Sequence, residues 1–221
     1  MLVERYRRDY DGEFVILKTQ YRDGKKTQER EWIANPITNQ HISGRAACIG
    51  SSIDHNRFDY TRLQRHRGGL RASKRLQTYA CGDVWQQMRL NFYITSDQAR
   101  LAAIADTDYG DDTVCYSNPR GVLAFPGQYF LCPFSPPLPD SAMVVYLACF
   151  DGHAEVYLLG YTQDNLGDIG VWQKSITDIM LVYNKTDFYV VCQPTVVPES
   201  WRSISNCHNL TYRDFVSQCD V

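Results

Sequence analysis

From residue 45 onward the chain alternates short apolar runs with polar, helix-compatible stretches. Runs that stay apolar on both odd and even positions suit strands buried on both faces, and they predict strands near 46–50, 75–80, 90–94, 112–117, 155–160 and 187–193. The intervening stretches predict helices near 57–66, 97–105, 141–151, 170–183 and 211–217. Alternation of the two predicts an α/β fold with a mostly parallel sheet covered by helices on both faces. Ala142 to Phe150 is almost wholly apolar, with Ser141 as a candidate N-cap, so this helix must be packed on more than one side.

The first 35 residues follow a different pattern. Glu13 to Tyr21 and Lys26 to Ala34 flank an Asp23-Gly24 pair, the strongest short signal for a β-hairpin. The chain is therefore divided into a hairpin appendage at 1–35 and an α/β domain at 36–221. Five prolines between Pro126 and Pro139 predict a stiff, extended loop, which at the strand ends serves either as a wall over a ligand or as a long connection.

Composition narrows the picture. The chain has 221 residues, 44% of them hydrophobic, enough for a full core. The net charge of -2 favours neither nucleic acid nor an anionic membrane as a global partner. No apolar run reaches the ~18 to 20 residues of a transmembrane helix, and the opening residues lack a signal-peptide core, so a cytoplasmic location with no membrane partner is expected. The eight cysteines are scattered, without a C-x-x-C pair, which predicts reduced, buried thiols and no disulfides. The five histidines show no ligand spacing with them, so no zinc site is expected.

Four clusters are candidates for chemistry. Gly50-Ser51-Ser52 follows the first buried strand: small residues there let backbone N–H groups approach a phosphate, while serine also serves as a helix N-cap. Asp97 ends the strand 90–94, where a carboxylate can hold ribose hydroxyls or a Mg²⁺ ion, or cap the following helix. Arg57, Arg62, Arg65, Arg67, Arg71, Lys74 and Arg75 form a basic run that suits phosphates, an acidic partner or a solvated helix face. His153 follows Asp151-Gly152 and is a candidate general base or a helix C-cap; Tyr161, after Gly160, offers a ring to stack on a base.

The chain carries no Walker A loop, no H-E-x-x-H, no G-x-S-x-G and no G-x-G-x-x-G. Three segments in this order, Ala47-Cys-Ile-Gly-Ser-Ser52, Phe92-Tyr-Ile-Thr-Ser-Asp97 and Tyr146 to Tyr161, resemble a Rossmann-like family. That family includes hydroxymethylpterin pyrophosphokinase-like proteins and, more distantly, bacterial sialyltransferases. Over most of residues 32–221 the chain is also similar to uncharacterised proteins of T4-like marine bacteriophages. The resemblance implies a phage-encoded protein that binds a nucleotide or nucleotide-sugar, as a glycosyl- or pyrophosphoryl-transferase acting in the host cytoplasm. Ser51 and Ser52 stand where the family has Asn and Gly, and Tyr161-Thr162 stand where an acid is expected, with Asp164 as a substitute. The departures leave open an inactive structural or adaptor protein that contacts virion proteins, and a nucleic-acid binder acting through residues 57–75.

Overall fold

Asp23 and Gly24, with φ of 51° and 75°, form the two-residue turn that the Asp-Gly pair predicts. They join β1 (Glu13–Arg22) to β2 (Lys25–Ala34) in an antiparallel hairpin. The computed structural model describes residues 2–7, 13–34, 44–50, 58–66, 76–162 and 169–221. Among these, the strands are completed by β3 (Arg45–Ile49), β4 (Gln77–Ala80), β5 (Phe92–Ile94), β6 (Val114–Ser117), β7 (Phe130–Leu131), β8 (Glu155–Leu159), β9 (Asp187–Val191) and β10 (Cys207–Leu210). The helices are α1 (Gln98–Ala105), α2 (Tyr109–Asp112), α3 (Pro119–Ala124), α4 (Asp140–Phe150), α5 (Ile169–Val182) and α6 (Tyr212–Cys219).

All ten strands belong to one sheet in the order β10-β9-β8-β3-β4-β5-β6-β7-β1-β2. The eight from β10 to β7 run parallel, and β1 joins β7 antiparallel, with the rings of Phe14 and Phe130 stacked at 4.6 Å. The hairpin is thus a lateral extension of the main sheet. Its outer strand carries Lys25, Lys26, Glu29, Arg30 and Glu31, charges that discourage edge-to-edge pairing.

The chain winds outward from β3 to β7 with its connections on one face, then returns to β8 and proceeds to β10 on the other. Leu101 of α1, Val122 of α3 and Phe215 of α6 pack with Ala47, Ile49 and Tyr93 on the first face. Residues of α4 and α5 pack with Ala46, Cys48 and Tyr79 on the second. Alternating residues of β3 and β4 feed the two cores, which is why these strands read as continuous apolar runs.

Helix α4 answers its composition. Every residue from Ala142 to Phe150 is buried, against β3, β4, β5, β8 and α5. The amino-terminal segment also contributes: Tyr6 packs edge-on to Tyr183, and the Arg7 guanidinium lies over Phe150. Burying side chains such as Val144, Leu147 and Phe150 contributes roughly 1.5–3 kcal/mol each. Ser141 is not the N-cap. The helix begins one residue earlier, at Asp140, whose carboxylate complements the positive helix end, while the Ser141 carbonyl accepts the Tyr161 hydroxyl at 2.8 Å.

The segment Tyr60–His66 is a 3-10 helix where an α-helix over 57–66 was expected. Asp59 accepts from the Thr61 backbone N–H and hydroxyl, tightening the first turn. No helix among the described residues is long and apolar enough to cross a membrane.

Candidate functional site

Strands β3 and β8 are neighbours although the chain visits four other strands between them. Connections leave these two strands on opposite faces, which makes their carboxyl ends the topological switch point, the place where open parallel sheets form a ligand crevice. Gly50 ends β3 and Gly160, at φ 77°, ends β8. The Gly50 N–H donates to the Leu159 carbonyl at 2.9 Å, so it is spent on joining the two strands. A Cβ at position 50 would stand 3.3 Å from both the Gly160 oxygen and Tyr161 Cζ. A side chain there would require these neighbours to give by a few tenths of an ångström.

Tyr161 is turned into the core rather than over the crevice. It is 2% exposed, its hydroxyl is held by Ser141, and its ring meets Trp172 edge-on. Burial raises its pKa well above the ordinary tyrosine value. The ring therefore shapes the floor at Gly50 and is not placed to stack on a base. Ser51, Ser52, Arg57, Arg67, Arg71, Lys74 and Arg75, together with Asp164, lie outside the described residues. Of the basic run, Arg62 is exposed on the 3-10 helix, and Arg65 is placed in backbone on the same element.

Beside the switch point stand the ends of β4 and β5. Arg100, in the first turn of α1, donates to Asp83 at 3.1 Å, which puts a cation at the carboxyl end of β4. Asp97 is exposed and caps α1 by accepting from the Arg100 N–H at 2.8 Å. The structure adds Asp140, which sequence reasoning missed. Its carboxylate accepts from the Ser96 hydroxyl at 2.7 Å, from the Ser96 N–H at 3.0 Å and from the Thr95 hydroxyl at 3.1 Å. The only hint in the chain is an acid at the start of an apolar helix; its partner lies 44 residues away. Cys81, buried between these groups, has its thiol pKa raised by burial, with Asp140 adding to the effect and Arg100 opposing it.

The proline-rich segment forms a wall at this edge. A cavity of about 180 Å³ lies between it and the ends of β5 and β6, lined by Asn118, Ser135, Pro136, Leu138, Asp140 and Met143 among others. Phe134 and Ser135 hold the wall with φ of 56° and 36°, a conformation that non-glycine residues rarely adopt. Two further cavities, of about 190 and 380 Å³, open beside α2.

His153 is not brought to this crevice. It precedes β8, whereas Gly160 follows it, and seven residues of extended chain set the two about 20 Å apart. Its backbone closes α4: the Gly152 N–H donates to Cys149 and the His153 N–H to Ala148, with Gly152 at φ 86°. Its ring is 1% exposed, with Nε2 2.7 Å from the Tyr79 hydroxyl. Tyr79 in turn donates to Asp151 at 2.7 Å, and Asp151 is ion-paired with Arg7. A hydroxyl has one proton, so when Tyr79 donates to Asp151 the histidine Nε2–H donates to Tyr79. Burial disfavours the Arg7 charge, yet the Asp151 contact more than offsets this and raises its pKa. The arrangement is a buried ion pair that ties the amino-terminal segment to α4 and the sheet.

All eight cysteines are free and seven are buried. Among the described residues, no three His, Cys, Asp or Glu side chains cluster closely enough to hold a metal ion. A scan against protein-family models, a search of curated proteins and a search of solved structures each return no match to this chain.

Proposed function

We propose that the protein binds a nucleotide or nucleotide-sugar across the carboxyl edge of its sheet, and that any activity is a glycosyl or pyrophosphoryl transfer there. The observation that carries this reading is the switch point at β3 and β8, with glycines at both strand ends. Phosphates would sit over Gly50 with Ser51 and Ser52 as donors, and Arg100 supplies a nearby cation that can leave its exposed partner Asp83. Asp97 and Asp140 would offer carboxylates to hydroxyls, or would hold a Mg²⁺ ion that offsets phosphate charge. Catalysis would rest on positioning and charge stabilisation. Calorimetric titration with nucleotides and nucleotide-sugars, with and without Mg²⁺, tests it: saturable binding supports the reading, and its absence throughout removes it.

A second reading is an adaptor within a bacteriophage particle; what supports an adaptor role is the exposed face of the hairpin. The register β1 to β2 puts Leu17, Tyr21, Trp32, Lys26 and Arg30 on one face, and the three apolar side chains are exposed by 46%, 74% and 42%. Such a face suits a partner with an acidic, apolar surface. Copurification with particles, lost in a Tyr21→Ser and Trp32→Ser double variant, is the outcome this reading requires.

A further inference from the structure

We propose that the cavity behind the proline-rich wall is a subsite for a neutral sugar ring, the group that a nucleotide-sugar would carry beyond its phosphates. This rests on the binding reading above and specifies which end of the ligand goes where. The cavity lies two to three strands from Gly50, at the ends of β5 and β6, or about 10–14 Å across the sheet. A ligand with its phosphates at the switch point can reach this cavity with its far end. At about 180 Å³ it is smaller than the roughly 300–1,000 Å³ of pockets that enclose a whole ligand, so it takes one end only.

Its lining has the chemistry of hydroxyl recognition. Asp140 is fixed in orientation by three donors from Thr95 and Ser96, and a carboxylate with about four lone-pair sites keeps capacity for one more hydroxyl. Asn118 uses its side-chain oxygen on the Gly121 N–H at 2.9 Å, while its amide NH₂ has no protein partner among the described residues. The Ser135 hydroxyl donates to the Cys132 carbonyl at 2.9 Å, leaving its oxygen as an acceptor. Asn118, Ser135 and Asp140 thus line one small space with Pro136, Leu138 and Met143, apolar side chains suited to the C–H faces of a pyranose. No Lys, Arg or His lines it among the described residues, so an acidic sugar or a further phosphate would meet the Asp140 carboxylate with no cation in the cavity wall.

Isothermal titration of the full chain with UDP and UDP-glucose, GDP and GDP-mannose, and CMP and CMP-N-acetylneuraminate tests this. The expected result is at least tenfold tighter binding of a neutral-sugar derivative than of its parent nucleotide, with no gain from the acidic sugar. Asn118→Ser keeps a good helix cap but removes the amide donor, and Leu138→Trp fills the cavity; both should erase the gain and leave the parent nucleotide's affinity unchanged. Equal affinity of each sugar derivative and its parent, a gain that survives both variants, or a gain from the acidic sugar overturns the subsite and leaves the nucleotide site standing. No binding of any nucleotide or derivative overturns both.

Discussion

The ring of Tyr161 lies against Gly50, close enough that a Cβ on the glycine would stand 3.3 Å from Tyr161 Cζ. This contact seals the seam between β3 and β8 directly beneath the proposed phosphate position. Gly50→Ala introduces a Cβ at 3.3 Å from a backbone oxygen and an aromatic carbon, tighter than ordinary contact. A loss of about 1–2 kcal/mol is expected, as for modest overpacking, with Gly50→Val costing more. Urea midpoints of the two variants measure it; unchanged midpoints mean that the seam is looser than described.

Asp151 holds Arg7 in a nearly water-free site, with the two side chains 0% and 3% exposed. Asp151→Ala leaves the guanidinium buried without its counter-charge and should cost about 3–5 kcal/mol, whereas Tyr79→Phe should cost only ~1–2. Arg7→Met in the Asp151→Ala background should recover part of the loss, because it removes the stranded charge. A pair of single variants that simply add would contradict the coupling.

Burial raises the thiol pKa values of Cys48, Cys81, Cys115, Cys132 and Cys149, that of Cys115 to about 12 from 9.0. The protonated thiol is the form that the fold favours. Its contribution is complete below the unfolded value near 9 and is lost as pH rises toward the folded values, at up to about 1.4 kcal/mol per pH unit for each thiol. Stability under reducing conditions should be level from pH 7 to 8 and fall steeply between pH 9 and 10. A curve that stays level through pH 10 would contradict the buried-thiol assignment.

Asp97 has one role that the structure shows, the cap of α1, and a second that belongs to the proposed site. As the cap of α1 it is replaceable by Asn, whereas Ala should cost ~1 kcal/mol. As a carboxylate for ribose or Mg²⁺ it is not replaceable by Asn. Asp97→Asn should therefore keep the thermal midpoint while weakening Mg²⁺-dependent nucleotide binding; unchanged binding assigns Asp97 to the cap alone.

The central strands and the longer helices were legible because each side of the sheet is covered, which leaves apolar runs of strand and helix length. β10 is an edge strand with His208 and Asn209 exposed, and β7 has only two residues, so neither carries a readable pattern. Helices α2 and α3, of four and six residues, are too short to display a period, although Asn118-Pro119 is a cap followed by proline at the first turn. At the site, the glycine-ended strand and Asp97 were readable from local context. Asp140 was not, since its role depends on a contact with Ser96, 44 residues away and separated from it by three helices and two strands. The place of His153 follows from strand direction: a residue before a parallel strand and one after it lie at opposite edges, so His153 and Gly160 cannot share a crevice.

The most direct test of the central claim is the thermal unfolding of the purified protein against nucleotides and nucleotide-sugars, with and without Mg²⁺. A ligand at 100 times its dissociation constant should stabilise the fold by ~2.7 kcal/mol, and Gly50→Val, which disturbs the switch point, should abolish the ligand-dependent part of the shift. No ligand-dependent shift across the set, or a shift that is unchanged in Gly50→Val, would contradict a nucleotide site at the junction of β3 and β8.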